Sequence, residues 1–161
     1  MKVYTDGSCL KNGRVDSSGG YGVVIFDDND KYVSHHSHYE DNTTNNIQEL
    51  KALVYGFIIA YSNPKEEVII YTDSAYGLQV FDSWCPMWKR NAWRKSDNQP
   101  IKNLELIQEG YELYSKLTNC RITKVKGHNN VIGNEMADAL ATGDMNKFNK
   151  LLSSVVSSTN N

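Results

Sequence analysis

Apolar and polar positions change their period several times along the chain, and each change marks a predicted element. Residues 2–6 and 21–26 are rich in Val, Ile and Tyr and are predicted strands. Between them, Gly7 to Gly20 carries the turn signals Asn12-Gly13 and Gly19-Gly20 and is predicted to be a loop. Residues 31–39 alternate as a third strand. From Thr44 the period becomes helical, with Ile47, Leu50, Val54, Phe57, Ile58 and Tyr61 on one face and Asn63-Pro64 as the stop. Val68 to Tyr71 is a continuous apolar run, the pattern of a central strand covered on both faces. A helical stretch follows Asp73, then an aromatic and basic segment over 84–95, and a helix from about 101 to 117. Residues 121–125 predict the last strand and 132–142 a further helix.

Three strands, a helix, a strand, helices, a strand and a helix describe a mixed sheet, not a tandem βαβ array. The expected fold is therefore α/β, a five-stranded mixed sheet with helices on both faces. Residues 1–143 are expected to form the catalytic domain and 144–161 a tail. In the tail, Phe148, Leu151, Leu152, Val155 and Val156 have amphipathic helical spacing. A short helix docked on its own domain is expected there, with contact to a partner as the alternative.

Composition narrows the class. With 161 residues and 40% hydrophobic content the chain has material for one core. No apolar run reaches the length of a membrane span. The opening Met1-Lys2-Val3-Tyr4 enters a strand without a signal-peptide hydrophobic stretch, so a free-standing cytoplasmic protein is expected. Cys9, Cys85 and Cys120 contain no CxxC pair, and reduced thiols are expected. The net charge of −2 does not mark a nucleic-acid binder. Its distribution changes that picture: Lys89, Arg90, Arg94, Lys95 and Lys102 face a single acid, Asp97, across residues 87–102.

Four acids stand where a charge is locally costly. Asp6 and Asp73 end two predicted central strands, and so emerge at one edge of the sheet, where α/β domains place their sites. Glu49 borders the buried face of its helix, and Asp138 is flanked by the core positions Ala137 and Leu140. Gathering like charges is unfavourable unless a cation neutralises them. An all-oxygen set suits Mg²⁺ or Mn²⁺ and not zinc. Capping of helix or strand ends is the other reading of each acid taken singly.

At these residues the chain resembles a known family, type 1 ribonuclease H. The blocks are Tyr-Thr-Asp-Gly-Ser-Cys (4–9), Thr-Asn-Asn-Ile-Gln-Glu-Leu (44–50), Tyr-Thr-Asp-Ser-Ala-Tyr (71–76), Val-Lys-Gly-His (125–128) and Gly-Asn-Glu-Met-Ala-Asp-Ala-Leu-Ala (133–141), in the family's order. The resemblance implies a ribonuclease H-like fold and a monomer that cleaves the RNA strand of RNA–DNA hybrids. It implies two Mg²⁺ ions, with Mn²⁺ possible, held by Asp6, Glu49, Asp73 and Asp138, and 5′-phosphate and 3′-hydroxyl products. His128 is implied to assist proton transfer or product departure. Asn12, Asn45 and Asn46 are implied minor-groove contacts, and Thr44 and Asn103 a pocket for a DNA phosphate. Tyr76 and Trp84 are implied contacts to the DNA strand, and Trp84, Trp88 and Trp93, with Lys89 and the other bases among them, a basic protrusion.

The implied roles suit the chemistry. The 2′-hydroxyl that separates RNA from DNA lies in the wide minor groove, within reach of short amides. Rings stack on any base, and Lys and Arg attract phosphate. Other readings stay open. The three tryptophans also fit a core patch under a loop. His35, His36 and His38 fit a solvated strand face better than a metal site. The chain as a whole could be another metal-dependent nuclease on the same fold, a hybrid-binding module without catalysis, or a fragment of a reverse transcriptase.

Overall fold

The computed structural model describes residues 1–125 and 131–159. Strands β1 (Lys2–Leu10), β2 (Ser18–Phe26), β3 (Tyr32–Asp41), β4 (Val68–Thr72) and β5 (Cys120–Lys124) form one sheet in the order β3-β2-β1-β4-β5. The first three pair antiparallel, and β4 and β5 join β1 in parallel. This is the expected mixed sheet. The predicted loop from Gly7 to Gly20 is corrected: β1 runs on to Leu10, and β2 begins at Ser18, paired with it. The glycine-rich ends lack strand propensity but are held by neighbours. Ser17 Oγ donates to the Thr43 carbonyl at 2.8 Å, and the Asn42 N–H donates to the Ser17 carbonyl at 2.7 Å. Ladder hydrogen bonds here outweigh local preference. Only the tip keeps turn chemistry, with Lys11 and Gly13 at φ 54° and 83°.

Helix α1 (Asn45–Ser62) starts at Thr44, whose side chain accepts from the Ile47 N–H at 3.1 Å. After β4 come α2 (Ala75–Gln79), a π-helical turn (Val80–Trp84) and α3 (Cys85–Arg90). Helix α4 (Leu104–Tyr114) is shorter than the predicted 101–117. Asn103 takes left-handed backbone at φ 61°, which stops helical extension toward Ile101 although Ile101 is buried. Helix α5 (Ile132–Thr142) has the predicted bounds and ends on left-handed Gly143 at φ 77°. Helix α6 (Met145–Thr159) follows at once, its first turn capped by Asp144 Oδ1, which accepts from the Lys147 N–H at 3.1 Å. No helix of the described residues is long and apolar enough to cross a membrane.

Alternation along the strands builds two cores. Val3, Val23 and Ile70 pack under Leu50, Leu53 and Phe57 of α1, whereas Val24 and Phe26 pack under Met136, Leu140, Phe148 and Val155 of α5 and α6. Two glycines let the helices close on the strands. A Cβ on Gly7 would stand 2.3 Å from the Glu49 nitrogen, and one on Gly22 would stand 2.5 Å from the Ala137 carbonyl oxygen. Gly22 is also the cross-strand partner of Asp6. The two close approaches therefore carry Glu49 and Asp138 toward Asp6 from opposite faces of the sheet.

Candidate active site

The acids converge because of strand order. β1 and β4 are adjacent and parallel, with Thr5 opposite Thr72, so Asp73, just past the end of β4, lies beside Asp6, which stands within β1 opposite Gly22 and not at the strand end the sequence predicted. Glu49 reaches them from α1, through the contact at Gly7. Asp6, Glu49 and Asp73 each offer an oxygen within 4.8 Å of the others, and among the described residues they are the one group of His, Cys, Asp and Glu so arranged. Asp138 on α5 hydrogen-bonds to Asp6 but lies at the margin, its side chain 48% exposed.

Helix capping does not explain these positions. Thr44 caps α1, and Ser74 caps α2 by accepting from the Gly77 N–H at 3.0 Å, which leaves Asp73 one residue outside that cap. Asp138 is inside a helix, and Asp6 Oδ1 accepts from the adjacent Gly7 N–H at 3.0 Å.

Burial pushes Asp6 up to about 11, with the charges of Glu49 and Asp73 and the hydrogen bond to Asp138 adding to the rise. Burial and the Asp73 charge push Glu49 up to about 8, against the lowering effect of hydrogen bonds from Asp6 and from the Gly7 backbone. Of the clustered acids, Asp6 is thus the one whose protonated form burial favours most. Glu49 Oε2 is buried without a hydrogen-bond partner among the described residues. Carboxylate oxygens only, crowded like charges and an unpartnered oxygen fit a hard divalent cation of the Mg²⁺ class. Among the described residues, the group so arranged offers no nitrogen or sulfur to a softer metal.

A second group lies beside the acids. Asn46, Tyr76, Trp84 and Asn103 line a cavity of about 420 Å³ together with Lys95 and Lys102. The Tyr76 hydroxyl is hydrogen-bonded to Asn103, and its ring meets Trp84 edge-on at 6.0 Å. Asn12 Oδ1 accepts from the Asn45 N–H at 2.9 Å, tying the β1–β2 turn to the start of α1. Thr44 does not line this cavity, and its hydroxyl serves as the cap. Lys89 is exposed in the last turn of α3 and does not line it either. His128 lies outside the described residues.

Of the three tryptophans, Trp88 is 8% exposed and belongs to the α1 core, which corrects its placement on a protruding surface. Trp84 and Trp93 are half-buried against that core. Among the histidines, His36 is not simply solvated: it stacks on Tyr55 at 4.3 Å. The Tyr32 hydroxyl is hydrogen-bonded to His35 Nδ1 at 2.6 Å, and the His35 ring packs 4.6 Å from Phe148. Ser96 also lines the cavity and was not singled out in the sequence, because its loop has no periodicity.

Comparison with known proteins agrees with this geometry. Residues 1–146 match the RNase H family. A ribonuclease H of Schizosaccharomyces pombe is 38% identical over 139 residues, 86% of this chain and 50% of that protein, so the chain spans half of that relative's length. A ribonuclease H of Caldicellulosiruptor saccharolyticus is 38% identical over 140 residues, 86% of this chain and 91% of that one. Among solved structures, a type 1 RNase H with the type 2 active-site motif superposes with a TM-score of 0.71 at 28% identity, covering 87% of this chain and 69% of that one.

Proposed function

The chain belongs to the ribonuclease H family, and on that premise we propose that it hydrolyses the RNA strand of RNA–DNA hybrids, with Asp6, Glu49, Asp73 and Asp138 holding its cations. The observation that carries the reading is the convergence of Asp6, Glu49 and Asp73 within 4.8 Å where the parallel pairing of β1 and β4 ends. Two bound Mg²⁺ ions, or Mn²⁺ in their place, would supply water activation and leaving-oxygen stabilisation for an in-line hydrolysis giving 5′-phosphate and 3′-hydroxyl ends.

The chain's own residues supply position. β1 holds Asp6, the end of β4 holds Asp73, and the contact at Gly7 holds Glu49, so the carboxylates are fixed before substrate arrives. His128 assists the proton transfer that accompanies departure of the leaving group. Asn12, Asn45 and Asn46 read the 2′-hydroxyls and base edges of the RNA strand in the minor groove. Tyr76 and Trp84 support the DNA strand, Asn103 and Thr44 its phosphate, and Lys89 adds salt-sensitive attraction.

Two half-sites of different chemistry require one strand of each kind. Matched RNA–DNA, RNA–RNA and DNA–DNA duplexes, incubated with and without Mg²⁺, test the assignment. Cleavage of the hybrid alone, in Mg²⁺ alone, is expected. Comparable cleavage of the RNA–RNA duplex, or of the DNA–DNA duplex, would overturn it.

A further inference from the structure

Lys147 stands in the first turn of α6, and the turn that carries it is firmly built. Gly143 reverses the chain at φ 77°, Asp144 caps the Lys147 N–H, and the next residue, Phe148, is 1% exposed in the α5–α6 core. This framework brings Lys147 Nζ to 3.9 Å from Asp138 Oδ2. Among the described residues, no other ion pair involves any of the four site acids. Lys51, the basic residue two positions after Glu49, is occupied by Glu40.

We propose that Lys147 is a resident counter-charge for Asp138, one that competes with the divalent cation for that carboxylate and so loosens cation binding at the margin of the site. This rests on the reading of Asp138 as a cation-holding residue. Asp138 hydrogen-bonds to Asp6, so the ammonium sits at the outer end of a chain of acids that leads to the buried Asp6. A divalent cation shared with Asp138 must displace the ammonium or bear its repulsion. The pair is about half exposed on both sides, so solvent screens it and its effect is modest. Removing it shifts a binding equilibrium by about two- to fivefold. Lys147 acts through Asp138 and is a positioning residue.

The test is a calorimetric titration of the substrate-free protein with MgCl₂ at pH 7.5 and low salt. Lys147→Gln is expected to bind Mg²⁺ about two- to fivefold more tightly than the unmodified protein, and Lys147→Arg, which keeps the charge, within about twofold of it. In an Asp138→Asn background, Lys147→Gln should give no gain, because the pair it disrupts is already gone. A urea melt in EDTA establishes that each variant is folded. Equal or weaker Mg²⁺ binding by Lys147→Gln, or the same gain without Asp138, would overturn the proposal while leaving the site reading standing. A wild-type protein that takes up no Mg²⁺ would bring down the site reading, and the role of Lys147 with it.

Discussion

Replacing Asp6 by Asn should make the metal-free protein more stable while abolishing cleavage. Asn is close in shape to the protonated acid, and its amide can donate to a neighbouring carboxylate as the single carboxyl proton does. In the folded chain Asp6 stays protonated at neutral pH, because burial first, then the charges of Glu49 and Asp73, push it up to about 11. In the unfolded chain it ionises near 3.9, so holding the proton at pH 7.5 costs at most about 5 kcal/mol. Glu49 is raised by the same surroundings and can carry the shared proton in its place, so the pH dependence belongs to the pair. A group whose folded value is raised gives stability that is complete below its unfolded value and is lost as pH rises. Metal-free wild-type protein should therefore weaken between pH 5.5 and 8, and Asp6→Asn should weaken less. Urea denaturation in EDTA at both values measures this, with the variant's urea midpoint above that of wild type at pH 8. Excess Mg²⁺ should narrow the gap by stabilising the wild type. A variant no more stable than wild type in EDTA at pH 8 would refute the reasoning.

Gly7→Ala should destabilise the protein by about 3 kcal/mol and impair cleavage, since the new Cβ meets the backbone of Glu49 at 2.3 Å; a urea midpoint close to wild type would contradict the packing described. His128→Ala should slow turnover by ~10²–10⁴-fold without preventing Mg²⁺ uptake. Loss of calorimetric Mg²⁺ binding in that variant would make His128 a ligand instead. Neutralising Lys89, Arg90, Arg94 and Lys95 together should raise KM and flatten its dependence on salt, and an unchanged salt slope would show that substrate does not cross this segment.

What the sequence disclosed depended on periodicity. The unbroken run Val68 to Tyr71 could only suit a strand covered on both faces, and it is β4, between β1 and β5. Residues 132–142 carried a helical face, and α5 has those bounds. Where structure rests on cross-strand hydrogen bonds, period and propensity say little, which is why the hairpin arms beyond Gly7 read as loop. The acids were legible as strand-end and core-edge anomalies. The cavity beside them was not, because Ala92, Trp93 and Asn98 take left-handed backbone (φ 53°, 61° and 62°) and no spacing announces it. Trp84 and Trp88, four apart, look alike in sequence and both line the cavity, yet only Trp88 is buried deeply enough to belong to the core. Lys147 was invisible because its place depends on the reversal at Gly143.

The order of the acids along the chain has a consequence in time. Asp6, Glu49 and Asp73 come from the first half of the chain, and Asp138 comes from α5, after β5 has closed the parallel side of the sheet. At synthesis rates of about 5–20 residues per second, several seconds separate the third acid from the fourth. A nascent chain, or one cut short before α5, holds three acids and lacks the fourth, together with the helix pair that covers Val24 and Phe26. The fourth acid therefore arrives in the same step as the second core, so completion of the acid set and closure of the α5–α6 face are one event in the life of the chain.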